Sequence, residues 1–174
     1  LRGHQIFRLI DQADSEVLRR MCNNGISFRS CLTEDVLFVQ GAACNEVYHV
    51  MNGVFEYTQH SRRRSTSGNE APPRNVAAGE WLSWVAMWSH WFHVGRVQAG
   101  PTSEVLTLDV KAVMKSLEAT GDLMNFFHQY SVAFHQRLVS ARPPAAVWPD
   151  DLAVPFADYG EIVLSIPQRE QKFV

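Results

Sequence analysis

Along residues 6–24, Ile6, Phe7, Ile10, Val17, Leu18 and Met21 recur at helical intervals with polar residues between them. Apolar positions three and four apart share one face of a helix, so the stretch predicts amphipathic helix. Asp14 or Ser15 suits the cap of a second helical segment, and Gly25 stands where a terminal glycine would stop it. The texture then changes. Runs 26–32, 36–39, 46–51 and 54–60 are short, rich in β-branched and aromatic residues, and separated by turn-compatible stretches, as strands are. Asn52-Gly53 between two apolar runs predicts a tight hairpin, because such a turn needs positive φ. Residues 94–99 and 104–110 read as two more strands about Gly100-Pro101. Residues 111–117 read as a short helix and 122–139 as a longer one, capped by Asp122 and ended by Pro143-Pro144. The remainder, 145–174, is punctuated by proline. It carries the apolar anchors Trp148, Leu152, Phe156 and Tyr159 and a strand-like run at 161–166, and reads as an extended tail that packs back on the domain.

The order is thus helix, about eight strands, a short helix and a long helix: an α+β chain with segregated elements, its strands forming an antiparallel sandwich or barrel. At 174 residues, one domain with an appendage is expected. The boundaries expected are a folded unit over 1–142 and a tail over 143–174. Hydrophobic residues make up 46% of the chain, enough for a core, and the net charge of −2 lacks the basic excess of a dedicated nucleic-acid binder. No apolar run is long enough to span a membrane, and no charged segment leads into an apolar one as in a signal peptide. The chain opens at Leu1 without methionine and is expected to be a piece of something larger. Three cysteines, Cys22, Cys31 and Cys44, are too few for a disulfide scaffold and suit a reducing compartment as small buried apolar residues. Arg62-Arg63-Arg64 reads first as a solvated loop tip and second as an anion contact.

Ordinary catalytic signatures are missing. There is no GxSxG, GxxxxGK[ST] or GxGxxG, no CxxC pair, and no HxH or HExxH among the seven histidines. Neither a catalytic set nor a metal site is expected, which also argues against a cupin-like metalloenzyme. The oddest number is five tryptophans, four of which (Trp81, Trp84, Trp88, Trp91) fall in one short stretch.

The segment from Gly41 to Gly53, followed by Val54-Phe55-Glu56-Tyr57, resembles the glycine-to-glycine strand pair of the cyclic-nucleotide-binding domain family. The leading helix, with His4-Gln5-Ile6-Phe7, resembles the entry helix of these domains in cation channels, and the two later helices resemble the family's B helix and C-helix lid. The resemblance covers roughly residues 6–139 and implies a jelly-roll β-roll with an N-terminal helix and two C-terminal helices. The family's phosphate-binding cassette aligns without a gap to residues 83–99. Val85-Ala86-Met87 keeps its helical turn, and Val97 and Ala99 keep its strand. The glutamate that receives the ribose falls on Trp84, the arginine that pairs with phosphate on His93, and the nearby threonine on Arg96. Glu80 matches a structural turn residue. A buried phosphodiester needs paired donors, which arginine's fork supplies with permanent charge and histidine does not.

The candidate pocket residues are therefore Trp84, Val85, Ala86, His93, Val94 and Arg96. Trp84 stands either as packing or as a platform for a purine. His93 stands either as a backbone-bonded buried histidine or as a weakened phosphate donor. Arg96 is a displaced phosphate partner only if a bulge at Gly95 turns it inward. Trp81 and Trp88 read as core, with Trp91 left open between core and a protein-binding patch. The resemblance implies cAMP or cGMP as ligand, while the altered cassette implies that neither binds in the usual way. The expected function is a non-enzymatic regulatory or interaction module of a cation channel or kinase-regulatory protein. It would be cytoplasmic, on the cytoplasmic face of a membrane protein, with protein partners and no nucleic acid. Its cavity would be filled by its own side chains or by the tail, with Trp148, Phe156 and Tyr159 as plugs. The alternative is a cyclic-nucleotide or nucleoside sensor with an altered cassette. A bacterial-type transcription regulator would need a helix-turn-helix downstream, and the tail has no such pattern.

Overall fold

The computed structural model describes residues 3–59, 72–118 and 120–171; the triple arginine lies outside them. Two helices open the chain, α1 (Gln5–Ala13) and α2 (Ser15–Gly25). Asp14 divides them: its backbone N–H closes α1 on the Ile10 carbonyl, and its carboxylate accepts from the N–H groups of Glu16 and Val17 to start α2. Ile6, Phe7, Leu9, Ile10, Val17, Leu18 and Met21 are buried, the stripe that the periodicity predicts. Gly25 is not a stop in the left-handed region. It is the last helical residue of α2, packed on Ala112 and Val113.

Ten strands follow among the described residues: β1 (Ile26–Cys31), β2 (Val36–Phe38), β3 (Ala43–Cys44), β4 (Glu46–Asn52), β5 (Val54–Thr58), β6 (Arg74–Ala77), β7 (Trp81–Leu82), β8 (Trp91–Phe92), β9 (Arg96–Ala99) and β10 (Ser103–Asp109). They form two four-stranded antiparallel sheets, ordered β1-β10-β4-β7 and β2-β9-β5-β6, and a two-stranded ribbon β3-β8. Asn52-Gly53 is therefore not a hairpin turn, since β4 and β5 lie in different sheets. The positive φ is present, at +78° for Gly53, but it turns a corner from one sheet to the other. A Cβ at Gly53 would lie 2.5 Å from Ser103 Oγ, so the corner is also a close crossing of two chain segments. Gly100-Pro101 likewise carries the chain between sheets. The interior of the roll is an apolar cluster that includes Phe38, Tyr48, Val50, Phe55, Tyr57, Val76, Leu82, Val97 and Val105.

The closing helices are α3 (Val110–Leu117) and α4 (Gly121–Ser140). Asp109 caps α3 through Ala112 N at 2.7 Å. Thr120 rather than Asp122 stands at the cap of α4, and Asp122 lies inside its first turn. Leu123, Phe126, Phe127, Tyr130 and Phe134 of α4 are buried in a second cluster with α1, α2 and the tryptophan segment. The strand-like run at 161–166 is instead helix α5 (Tyr159–Ser165), capped by Asp158. Its Ile162 and Val163, with Ile166 beyond it, are buried against the second cluster. Burial of each is worth about 1.5–3 kcal/mol before ordering costs, enough to override β-propensity in so short a run. Arg137 of α4 donates to Ala133 O, Glu161 O and Ser165 Oγ, tying α5 to α4. The segment between α4 and α5 is thereby held at both ends and crosses the roll as a strap. No described helix is long and apolar enough to cross a membrane.

Candidate functional site

The tryptophan segment leaves β7 through Ser83, whose backbone is left-handed (φ 59°, ψ 27°), into a short 3-10 turn, Trp84–Met87. Val85, Ala86 and Met87 are buried under α4, and Trp88 packs on Phe127, Tyr130 and Phe134. Its Nε1 is buried without a hydrogen-bond partner. Trp84 lies 4.2 Å from His4 and within 6.0 Å of Phe7, Trp81 and Trp88, measured between ring centroids. This ladder places its indole against α1 and its neighbours in the segment.

Beyond the turn, β8 pairs with β3, and His93 is fixed by its own backbone: Gly41 N–H donates to His93 O at 2.7 Å, and His93 N–H to Ala42 O at 2.9 Å. The His93 ring is buried and stacks on Phe38, with centroids 3.7 Å apart and planes 10° apart. Val94 and Gly95 then turn the chain into β9 with both N–H groups pointing to one spot. A side chain at Gly95 would overlap the Tyr57 ring, so glycine is what lets the phenol come this close.

That spot is filled by a residue of the strap. Asp151 is 1% exposed, and its two carboxylate oxygens accept five hydrogen bonds. Trp91 Nε1 (2.8 Å) and His93 Nδ1 (2.9 Å) donate to Oδ1; Tyr57 Oη (3.0 Å), Val94 N (2.9 Å) and Gly95 N (2.9 Å) donate to Oδ2. An ionised carboxylate only accepts, so Nδ1 carries the ring hydrogen here. Burial, followed by the charge of Asp151, pushes the Tyr57 phenol up, so it remains a protonated donor. Burial likewise pushes the nearby Cys44 thiol up to about 11, leaving it an inert small apolar group.

The neighbours of Asp151 are read as well. Its carbonyl accepts from Ser83 N–H at 2.6 Å. Asp150 pairs with Arg74 and accepts from the N–H groups of Leu152 and Ala153. Arg74 in turn lies over the Tyr57 ring, 5.2 Å from its centroid. Leu152 packs on the interior cluster of the roll.

Of the residues singled out from the sequence, His93 and Val94 touch Asp151, Val85 and Ala86 form the floor of the 3-10 turn, and Trp84 sits beside the strap. Arg96 opens β9 opposite Thr58 with its side chain exposed, away from the carboxylate. The residues expected as plugs do not reach Asp151. Trp148 and Phe156 are 65% and 57% exposed, and Tyr159 leans on Tyr130 at the start of α5. Trp91, left open from sequence, is an indole donor to Asp151. Cys31 and Cys44 are buried as expected, whereas Cys22 is exposed. Sequence reasoning missed Asp151, Tyr57 and Gly95. The one available signal was an acidic pair, Asp150-Asp151, between two prolines in an otherwise apolar stretch. Among the described residues, no group of three or more His, Cys, Asp or Glu side chains is placed to hold a metal ion.

The fold is that of cyclic-nucleotide-binding domains. The C-linker/CNBHD of zELK channels has a TM-score of 0.55 and 16% identity, over 69% of this chain and 57% of that one. The sensor domain of the transcriptional regulator DNR from Pseudomonas aeruginosa has a TM-score of 0.58 and 16% identity, over 82% of this chain and 91% of that one. The N-terminal domain of a transcriptional regulator from Streptomyces coelicolor has a TM-score of 0.57 and 18% identity, over 80% and 92%. At such identities the likeness is one of fold. No protein-family model matches the sequence, and no curated protein matches it.

Proposed function

We propose that this chain is a non-enzymatic regulatory or interaction module whose ligand site is occupied by its own tail, and that it does not bind cAMP or cGMP in the usual way. The observation that carries this is the seating of Asp151 on five donors from the segment that aligns with the phosphate-binding cassette and from β5. A carboxylate offers two oxygens, as the non-bridging oxygens of a phosphodiester do, so one side chain satisfies the whole donor set. No guanidinium is among those donors, and a phosphodiester arriving from solvent would have to displace a buried, fully bonded anion. In this reading 1–142 is the binding-fold unit and 143–174 is the tail that supplies the resident ligand. The structural neighbours described above are a channel's domain and the sensor or N-terminal domains of transcription regulators. They support a role inside a larger regulatory chain; the proposed setting is the cytoplasm, with protein partners, and the net charge of −2 is what speaks against nucleic acid as the partner.

The test is a thermal-shift titration of the full chain with cAMP and cGMP to millimolar concentration. A ligand at a hundredfold excess over its dissociation constant stabilises by about 2.7 kcal/mol, an easily read shift. A flat melting temperature is expected. A rise at micromolar nucleotide would overturn the reading in favour of a sensor with an altered cassette.

A further inference from the structure

The strap makes more than one contact, and each contact reads a different chemical feature. Arg74 takes the carboxylate of Asp150, the five-donor cradle takes Asp151, Ser83 N–H takes the main-chain carbonyl of Asp151, and the roll interior takes the Leu152 side chain. The geometry points to a peptide receptor: the site binds an Asp-Asp-Leu segment as its ligand class, and such a segment on a partner polypeptide competes with the chain's own copy. This rests on the reading of the site as self-occupied and names the kind of partner that would release it.

Three features favour a peptide over a nucleotide. The Ser83 N–H is buried and aimed at a backbone carbonyl, which a peptide possesses at every residue and which belongs here to the same residue as the recognised side chain. The donors around the anion are two amides, an indole, a phenol and an imidazole, a set that satisfies two carboxylate oxygens without the permanent cation that a phosphodiester ordinarily calls for. The guanidinium that is nearby, Arg74, is spent on the preceding residue's carboxylate, so the charges are spaced for two consecutive acidic side chains.

The resident copy has an advantage of proximity. The strap is anchored by α4 on one side and by the buried face of α5 on the other, so it meets its site at high effective concentration. Free peptide therefore should not bind the unaltered chain appreciably, and it should bind once the resident copy is blanked. The experiment uses the full chain with Asp150, Asp151 and Leu152 all replaced by glycine, which keeps the strap's length. It is titrated with the capped peptide Trp-Pro-Asp-Asp-Leu-Ala-Val-Pro by calorimetry, and by melting temperature. The same titration is run with the peptide carrying Asn in place of the second Asp, and with cAMP. Binding of the Asp-Asp peptide is expected, with at least tenfold weaker binding of the Asn peptide and no response to cAMP. Failure of the peptide to bind a folded variant, equal binding of the Asn peptide, or tighter binding of cAMP would each overturn the inference. If the triple variant does not fold, the isosteric D151N chain is used instead, with calorimetry again reporting binding, and the same three outcomes decide. Nucleotide binding to the unaltered chain would sink the self-occupied reading, whereas peptide failure alone sinks only this inference.

Discussion

Replacing Asp151 by asparagine keeps the shape of the side chain and removes half of what it does. The carboxylate is buried and meets donors on both oxygens, two on Oδ1 and three on Oδ2. An amide has one oxygen and one NH2 group, so whichever way it turns, two or three buried donors face another donor. Each stranded donor costs about 1–3 kcal/mol, and the losses do not simply add. The strap also limits the damage, because it can swing away and let water reach the cradle, at the expense of its own contacts. The expected loss for D151N is therefore about 2–5 kcal/mol, or roughly 4–20 °C of melting temperature for a chain of this size. Urea denaturation followed by tryptophan fluorescence measures it. Amide hydrogen exchange at Val94 and Gly95 should accelerate in the same variant, because the strap that carries their acceptor is held less tightly. A loss under about 0.5 kcal/mol, the range of an ordinary surface substitution, would refute the account of Asp151 as a fully bonded buried anion.

Gly95→Ala places a methyl group into the Tyr57 ring and should cost about 1–3 kcal/mol as overpacking, with faster exchange at the neighbouring Val94 amide; an unchanged melting temperature would count against the close approach. Arg74→Ala removes the partner of Asp150 at a half-exposed site, so the stability loss should stay below about 1 kcal/mol by chemical denaturation, and a larger value would mean that the strap depends on this pair. Burial, and then the neighbouring His49, lower His4 to about 4 from its ordinary 6.5. Between those values the unfolded chain binds a proton that the folded chain refuses, so stability should fall as pH drops from 6.5 toward 4. After solvent screening the loss is on the order of 1–2 kcal/mol, and His4→Gln should flatten that part of the profile in melts across pH.

Local rules account for much of the fold. The buried stripe of α1 and α2, the Asp14 break, the strand runs and the Asp109-capped α3 all follow from period and capping chemistry, which act within a few residues. The lapses are equally physical. Asn52-Gly53 announces a backbone geometry, positive φ, but not which strands that geometry joins; β4 pairs with β10 and β7, and β5 with β9 and β6, so neither pairs with the other. Residues 161–166 carry the β-branched content of a strand and become helix because Ile162, Val163 and Ile166 join the apolar cluster that α4 belongs to. His93 and Val94, singled out through the alignment with the cassette, both contact Asp151.

The identity of that anion had only a faint local signature. Asp151 belongs to an acidic pair between two prolines in an otherwise apolar stretch, which does not say that one of the two carboxylates is buried. Its environment comes from Tyr57 on β5 and from residues 91–95, which lie far from it in sequence and meet it only in the folded chain. Periodicity, capping and turn chemistry are short-range properties and can be read along the chain. A buried charge is stable only where several remote donors converge, and that convergence exists only in three dimensions.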